Sequence, residues 1–469
     1  MTNPLAPGWL TVPENVNALD EGLWPASSAR DAQGEFTLAG RSLASLAAEF
    51  GTPLYLYDEA DARERARRIR EAFREAFAPH GAAVHVYYAG KAFLSIDIAK
   101  WMTAEGLRID VSTGGELSVV LAAGVDPGRL GFHGNNKSTV ELERAVRVGV
   151  GTIIVDSVGE IARVAAAATG AGRVQAVRLR INSGVHASTH EYLATAREDQ
   201  KFGIPIDQAE AAVALIRAED SLEFLGLHSH IGSQIFDAAG FAEAVHRLLA
   251  LHARLLDTGP VPELNIGGGF GIAYTPADTP TPIEEIAAQL ARAVSAECRA
   301  LDIPVPTIAI EPGRVIVGPA GVAVYSVGEI KDVEVATDGG SAIRRYMAVD
   351  GGMSDNVRPA LYHADYTALL VRSSAAEAVL ARVVGKHCES GDIVIRDGYL
   401  PGDVARDDLL AVAATGAYCV SLGSNYNYVQ RPAVVAVRDG DARVLIRRET
   451  EAELLTRDMG MHRAEETIQ

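Results

Sequence analysis

Val84-His85-Val86-Tyr87-Tyr88-Ala89-Gly90-Lys91 is a short β-type run that ends on a glycine and a lysine. The form recurs. Eight such runs lie between residues 84 and 314, centred on 84–89, 107–111, 129–133, 152–155, 175–181, 223–231, 262–266 and 307–310. Several are apolar or β-branched almost throughout, as parallel strands covered by helices are. Stretches of helical periodicity separate them, such as 140–148, 208–218 and 283–300. Eight β-α units over roughly 230 residues fit a (β/α)8 barrel. An open, doubly wound sheet also alternates but usually needs fewer strands, so the residues at the end of each run decide between the two.

Beyond residue 321 the texture changes. Runs at 322–330, 346–349, 379–384, 392–395, 433–437 and 443–446 alternate and are separated by Gly and Asp turns, which predicts an antiparallel β domain. Strand-like pieces at 36–38 and 54–57 could complete its sheet. The expected division is 1–56 joining the β domain, 57–320 as the barrel and 321–469 as the β domain, with a frayed polar tail from Arg457.

Composition excludes several classes of function. With 61 acidic and 43 basic side chains the net charge is −18, which argues against a nucleic-acid surface. The basic run from Arg63 to Arg74 is broken by Glu64 and Glu71 and reads as a solvated helix face. Three cysteines, Cys298, Cys388 and Cys419, show no metal-ligand spacing and suit a reducing compartment. No apolar stretch is long enough to span a bilayer, and residues 1–9 lack a signal-peptide pattern. The expectation is a cytoplasmic protein with no membrane or nucleic-acid partner.

In a barrel, chemistry projects from the C-terminal ends of the strands. Those ends carry, in order, Lys91, Asp110, His133 with Asn135, Asp156, Asn182, His230 with Ser233, Gly267-Gly268-Gly269, and Glu311 with Arg314. A polar or Gly-rich group after every strand supports both the fold and a site. Lys91 taken alone reads as a surface lysine; over a barrel mouth, loss of water would favour the neutral, nucleophilic amine. The glycine run lets backbone amides approach an anion, and barrel phosphate sites follow strands seven and eight. His228 and His230 are a core pair or, less favoured, a metal pair lacking a third ligand; the preferred reading makes His230 an aromatic platform and Ser233 a phosphate donor. In Glu311-Pro312-Gly313-Arg314 the turn lets both charged groups face the mouth, although a plain salt bridge would also suit them.

Lysine, histidine platform, glycine loop and Glu-Pro-Gly-Arg, in that order, resemble the fold-type III pyridoxal-phosphate decarboxylases, from about residue 54 to about residue 432. Gly226-Leu227-His228-Ser229-His230-Ile231-Gly232-Ser233-Gln234, Asn356-Val357-Arg358-Pro359-Ala360-Leu361-Tyr362, Cys388-Glu389-Ser390-Gly391-Asp392 and Gly416-Ala417-Tyr418-Cys419 resemble the diaminopimelate-decarboxylase branch. The resemblance implies an alanine-racemase-like barrel with a β domain, in which Lys91 carries pyridoxal 5'-phosphate. Asp110, His230, Ser233, Gly267, Gly268, Gly269, Glu311, Gly313, Arg314 and Tyr418 would contact the cofactor, Glu311 at its ring nitrogen. Arg314, Arg358, Tyr362, Glu389 and Tyr418 would bind meso-diaminopimelate, and Cys388 would donate the proton. It also implies a homodimer whose Cys-Glu segment enters the partner's site, and no metal. Phe93 departs from the pattern, because many relatives have Asn two residues after the lysine. An ornithine- or arginine-type decarboxylase is the nearest rival and is disfavoured by Arg358, Tyr362 and Glu389. A racemase is opposed by Glu311, and a silent homologue by Lys91, Glu311 and Cys388 together.

Overall fold

The computed structural model describes residues 3–185 and 201–461, so of the polar tail only residues 457–461 fall within the described part. The chain forms two compact units, one of residues 63–272 and 279–316, the other of 1–62, 273–278 and 317–469.

The first unit is a closed barrel of eight parallel strands. They are, in order, Val84–Ala89, Arg108–Val111, Leu130–Phe132, Thr152–Val155, Gln175–Asn182, Leu222–His228, Glu263–Asn265 and Thr307–Ile310. Each pairs with its neighbours in chain order. Pairing of strand four with strand five, and of strand eight with strand one, completes the ring. The expected (β/α)8 fold is therefore present. Among the described residues seven helices lie between successive strands; Ser138 with Glu141 boxes the start of Thr139–Val148, and Gly149 at φ +84° ends it. The helix before strand one, Glu59–Phe77, fills the eighth outer place. Its Ala66, Ile69, Phe73 and Phe77 are buried at helical spacing, while Arg68 pairs with Glu284 and both Arg63 and Arg67 pair with Glu105. The basic run is thus the solvated face that its sequence suggests.

Charge also enters the barrel interior. Arg178, buried on strand five, bonds Glu263 of strand seven at 2.9 Å and Tyr87 Oη of strand one at 3.0 Å. The bonds engage Nε and Nη2 of a guanidinium that would otherwise be costly to bury, while Nη1 is buried without a hydrogen-bond partner.

The second unit is a twisted sheet built around Gly321–Thr337, which pairs antiparallel with Gly340–Val349, with Leu409–Val412 and with the N-terminal strand Leu54–Asp58. The N-terminal contribution is as expected. Two details differ. Strand Ala378–Val384 runs parallel to Gly340–Val349, and Ala433–Arg438 runs parallel to Leu54–Asp58, because long connections carry the chain back before each pairing. The piece Phe36–Leu38 does not enter this sheet. It forms a separate three-stranded sheet with Ala29–Arg30 and Arg41–Ser42, tied on by the Phe36 amide donating to the Val371 carbonyl.

Candidate active site

Strands one, two, three, five, six and eight bring Lys91, Asp110, His133, Arg180, His228 and Glu311 to the wall of one cavity of about 690 Å³. That volume suits a cofactor-sized ligand. Lys91 lies in the short turn Gly90–Ala92 directly after strand one and is exposed. The side chain is thus open to solvent within the single chain, where the sequence predicts it enclosed. The turn packs too closely for side chains at its glycine: a Cβ on Gly90 would lie 2.8 Å from the Asp110 carbonyl oxygen. The adjacent Phe93 is fully buried.

The Glu-Pro-Gly-Arg turn lies against the lysine turn. The Ala89 amide donates to the Pro312 carbonyl at 3.0 Å, and a Cβ on Gly313 would stand 3.0 Å from those of Ala89 and Ala92. The triple glycine meets the same turn from the other side. Glu311 donates its amide to the Gly267 carbonyl at 2.9 Å, and a Cβ on Gly268 would come within 2.0 Å of the Glu311 carbonyl oxygen. Gly268 in turn donates to Nδ1 of His230 at 3.3 Å. Arg314 Nη2 donates to Ser233 Oγ at 2.9 Å, so two predicted anion contacts are side by side. Lys91, His230, the glycines, Ser233, Glu311 and Arg314 are brought together as the sequence suggests.

Glu311 is fixed by one oxygen. Asn265 Nδ2 donates to its Oε1 at 2.7 Å, His228 Nε2 lies 3.0 Å away and His133 Nε2 lies 3.3 Å away. His133 Nε2 is also 3.3 Å from Asp110 Oδ1. The imidazole contacts meet an ion-pair distance without hydrogen-bond alignment, so an imidazole acts strongly there only when it is charged. Burial alone would depress His133, but Glu311 and Asp110 outweigh it and lift its pKa to about 9. Burial wins at His228, which falls to about 4 despite Glu311. Burial likewise would raise Glu311, but the imidazoles hold it well below the usual carboxylate range. His228 is the larger of the two influences, but it is itself neutral above about pH 4, which leaves His133 as the cation beside Glu311 near neutrality. Asp110 is pushed up to about 6 by burial, with His133 opposing and Glu311 adding to the rise.

Several of these groups escaped the sequence reading. Strand six ends at His228, so the alternation stops there and the histidine pair divides: His230 turns to the glycine loop, His228 to Glu311. Among the described residues no third donor joins that pair; instead His228 converges with His133 and Glu311, whose donor atoms lie within 4.8 Å of one another, and His230 is not among them. Arg180 sits over the Phe202 ring at 4.3 Å and 3.4 Å from Asp156, and it lines the cavity with Lys201 and Phe202. Its signal was legible: Arg178 and Arg180, two apart in a β run, must share the inward face.

The second unit holds the remaining candidates. Arg358 is buried, with its guanidinium 4.7 Å from the Tyr274 ring and 5.4 Å from that of Tyr366, and it donates to Tyr366 Oη. Tyr362, at the end of the short helix Arg358–Tyr362, is exposed. Cys388 and Glu389 are also exposed, and Tyr426 Oη donates to Glu389. Their loop is clamped by Asp392, which accepts from the amides of Met353 and His387 at 2.6 and 2.8 Å. Tyr418 adopts φ +65°, a left-handed conformation rare for a bulky residue and frequent at functional sites.

Residues 60–318 match the family model of the pyridoxal-dependent decarboxylases, pyridoxal binding domain. The diaminopimelate decarboxylase of Mycobacterium tuberculosis is 50% identical over 447 residues, covering 93% of this chain and 98% of the relative. That of Mycobacterium leprae is 50% identical over 452 residues, covering 94% of each. Among solved structures, diaminopimelate decarboxylase from M. jannaschii in complex with L-lysine superposes with a TM-score of 0.85 at 28% identity, over 93% of this chain and 98% of the other. A family match over more than half the chain, and relatives half identical along nearly its whole length, establish that the chain belongs to the pyridoxal-dependent decarboxylases, in the diaminopimelate decarboxylase branch.

Proposed function

We propose that this enzyme removes the carboxylate from one end of meso-2,6-diaminopimelate to give L-lysine and carbon dioxide, with pyridoxal 5'-phosphate held at Lys91. The observation that carries the reading is the packing of the Glu311 turn against both the Lys91 turn and the triple glycine, with Lys91, His230 and Glu311 lining one cavity. These residues fit the cofactor. They offer an amine at the mouth, a carboxylate on the floor, an imidazole at the wall, and a glycine turn whose close packing leaves no room for side chains. The Ser233–Arg314 pair suits a phosphate.

When bound, the cofactor supplies a conjugated ring that takes up the electron pair released as carbon dioxide leaves. The chain's residues supply the rest. Lys91 would hold the cofactor through its side-chain amine. Glu311, kept ionised, would meet the cofactor's ring nitrogen and favour its protonated form, and His230 and Asp110 would contact the cofactor from the cavity wall. Gly267, Gly268, Gly269, Gly313, Ser233, Arg314 and Tyr418 anchor the phosphate end. Arg314, Arg358, Tyr362 and Tyr418 orient substrate carboxylate, and Glu389 takes the distal ammonium. Cys388 gives a proton to the α-carbon.

The finer assignments are a homodimer, in which the exposed Cys388 and Glu389 serve the partner's cavity, a cofactor-binding domain at 57–320 flanked by 1–56 and 321–469, and a cytoplasmic location. Among the described residues no disulfide joins the three cysteines, as a reducing compartment allows. Among the described residues no helix is long and apolar enough to cross a membrane.

Carbon dioxide release from meso-diaminopimelate, ornithine, arginine and lysine, each supplied separately, tests the substrate. A site built to pair a distal carboxylate should favour diaminopimelate in kcat/KM by about 10³-fold or more. Comparable release from ornithine would overturn the assignment.

A further inference from the structure

Resting on the reading of Glu311 as the partner of the cofactor's ring nitrogen, we propose that His133 is a positioning residue for that carboxylate. It is a half-buried cation between Asp110 and Glu311 that keeps Glu311 ionised and held by its Oε1 edge, while Asp110 cancels the charge His133 brings.

The geometry carries this in two parts. The contacts of Glu311 with Asn265, His228 and His133 all fall on Oε1, so the carboxylate is pinned along one edge and Oε2 carries none of them. His133 Nε2 stands equally far from Asp110 Oδ1 and Glu311 Oε1, at 3.3 Å from each. Two carboxylates in one desolvated place do not both stay ionised unless a cation lies between them.

The groups facing His133 leave it alone in that task. His228 of strand six, with ring centroids 5.2 Å apart, is kept neutral by burial. Glu116, of the helix Gly114–Ala122, is a further acid within its influence. Arg178 and Arg180 of strand five reach Asp110 and Glu311 electrostatically, but their guanidinium groups are engaged by Glu263 and by Asp156. Deleting His133 should therefore leave Asp110 and Glu311 sharing one proton, and the cofactor next to Glu311 should report it.

The test is the visible absorption of the bound cofactor in the holoenzyme, followed from about pH 6 to about pH 8.5, where a carboxylate pair sharing a proton would titrate. The wild type should be flat. His133→Leu should show a new step. His133→Gln keeps a neutral donor in place and should show the same step, which covers the case where the leucine variant does not fold. Adding Asp110→Asn should remove the step, because only one carboxylate remains; a merely structural role for His133 would not produce that suppression. A flat profile in the His133 variants, or a step surviving the double change, overturns the proposal. Glu311→Gln separates the two ideas. If it shifts the band while the His133 variants do not, only the role of His133 falls; if it leaves the band untouched, Glu311 is not at the ring and both fall.

Discussion

Glu311 in the barrel unit is held through one oxygen by three neighbours, whereas Glu389 in the β unit is exposed and accepts from Tyr426. The same contrast runs through the other candidates. His230 and Arg314 are fastened within the barrel to Gly268 and Ser233, while Cys388 and Tyr362 lie on the surface of the β unit. Arg358 differs from these two in being enclosed, between two tyrosine rings. A cofactor that must keep one protonation state needs groups fixed before it arrives, because reorganising charge in a low-dielectric site is costly. Groups that meet substrate, or a second copy of the chain, must reach outward. On the proposed reading, the groups that meet the cofactor's ring lie in the barrel, and the proton donor and the distal-ammonium partner lie in the β unit.

The contrast fails if removing an exposed group disturbs the barrel. Cys388→Ala should lower kcat by roughly 10²–10⁴-fold, the usual worth of a positioned proton donor, while the cofactor's visible band stays. Loss of the band would mean that the two units are not separate in function. Mixing inactive Lys91→Ala and Cys388→Ala subunits should restore part of the activity, since one site of the mixed dimer then has both residues. No recovery after proven exchange would confine each site to one chain.

A smaller effect belongs to the barrel half. Glu263 is held at a pKa of about 2: burial would raise it, but His85 and Arg178 pull it down further. A depressed carboxylate contributes stability that is present above its unfolded value and lost as pH falls through the folded one. Stability of the wild type should therefore fall between about pH 4.5 and about pH 2. Glu263→Gln should cost about 3 kcal/mol near neutrality by leaving Arg178 buried without its charge partner. That deficit should narrow as the medium is acidified. Urea unfolding midpoints at pH 7 and pH 3 measure it, and an unchanging gap would remove Glu263 as the acid-sensitive group.

Much of the barrel was legible because strand ends are local events. A β-branched run followed by Gly-Lys or Glu-Pro-Gly-Arg announces both the strand and what it carries, so Lys91, Glu311 and the triple glycine were readable at once. The fastening of Glu311 was not. Asn265, His228 and His133 converge on it only because the ring closes, and no spacing in the chain records which strands become neighbours across a barrel. Arg180 was missed for a different reason: its spacing from Arg178 was legible, but the fifth run reads as plain core until the inward face of the barrel is known to carry charge. In the β unit, alternation located the strands but not the two parallel pairings, which depend on where long connections return.

Everything assigned to the barrel requires Lys91 to hold the cofactor, and the cavity itself supplies a rival amine in Lys201. Borohydride reduction of the cofactor-loaded enzyme, followed by peptide mass analysis, decides between them. With Lys91 as the anchor, a single pyridoxyl adduct appears on the peptide containing it. An adduct on Lys201, with Lys91 unmodified, would contradict that assignment.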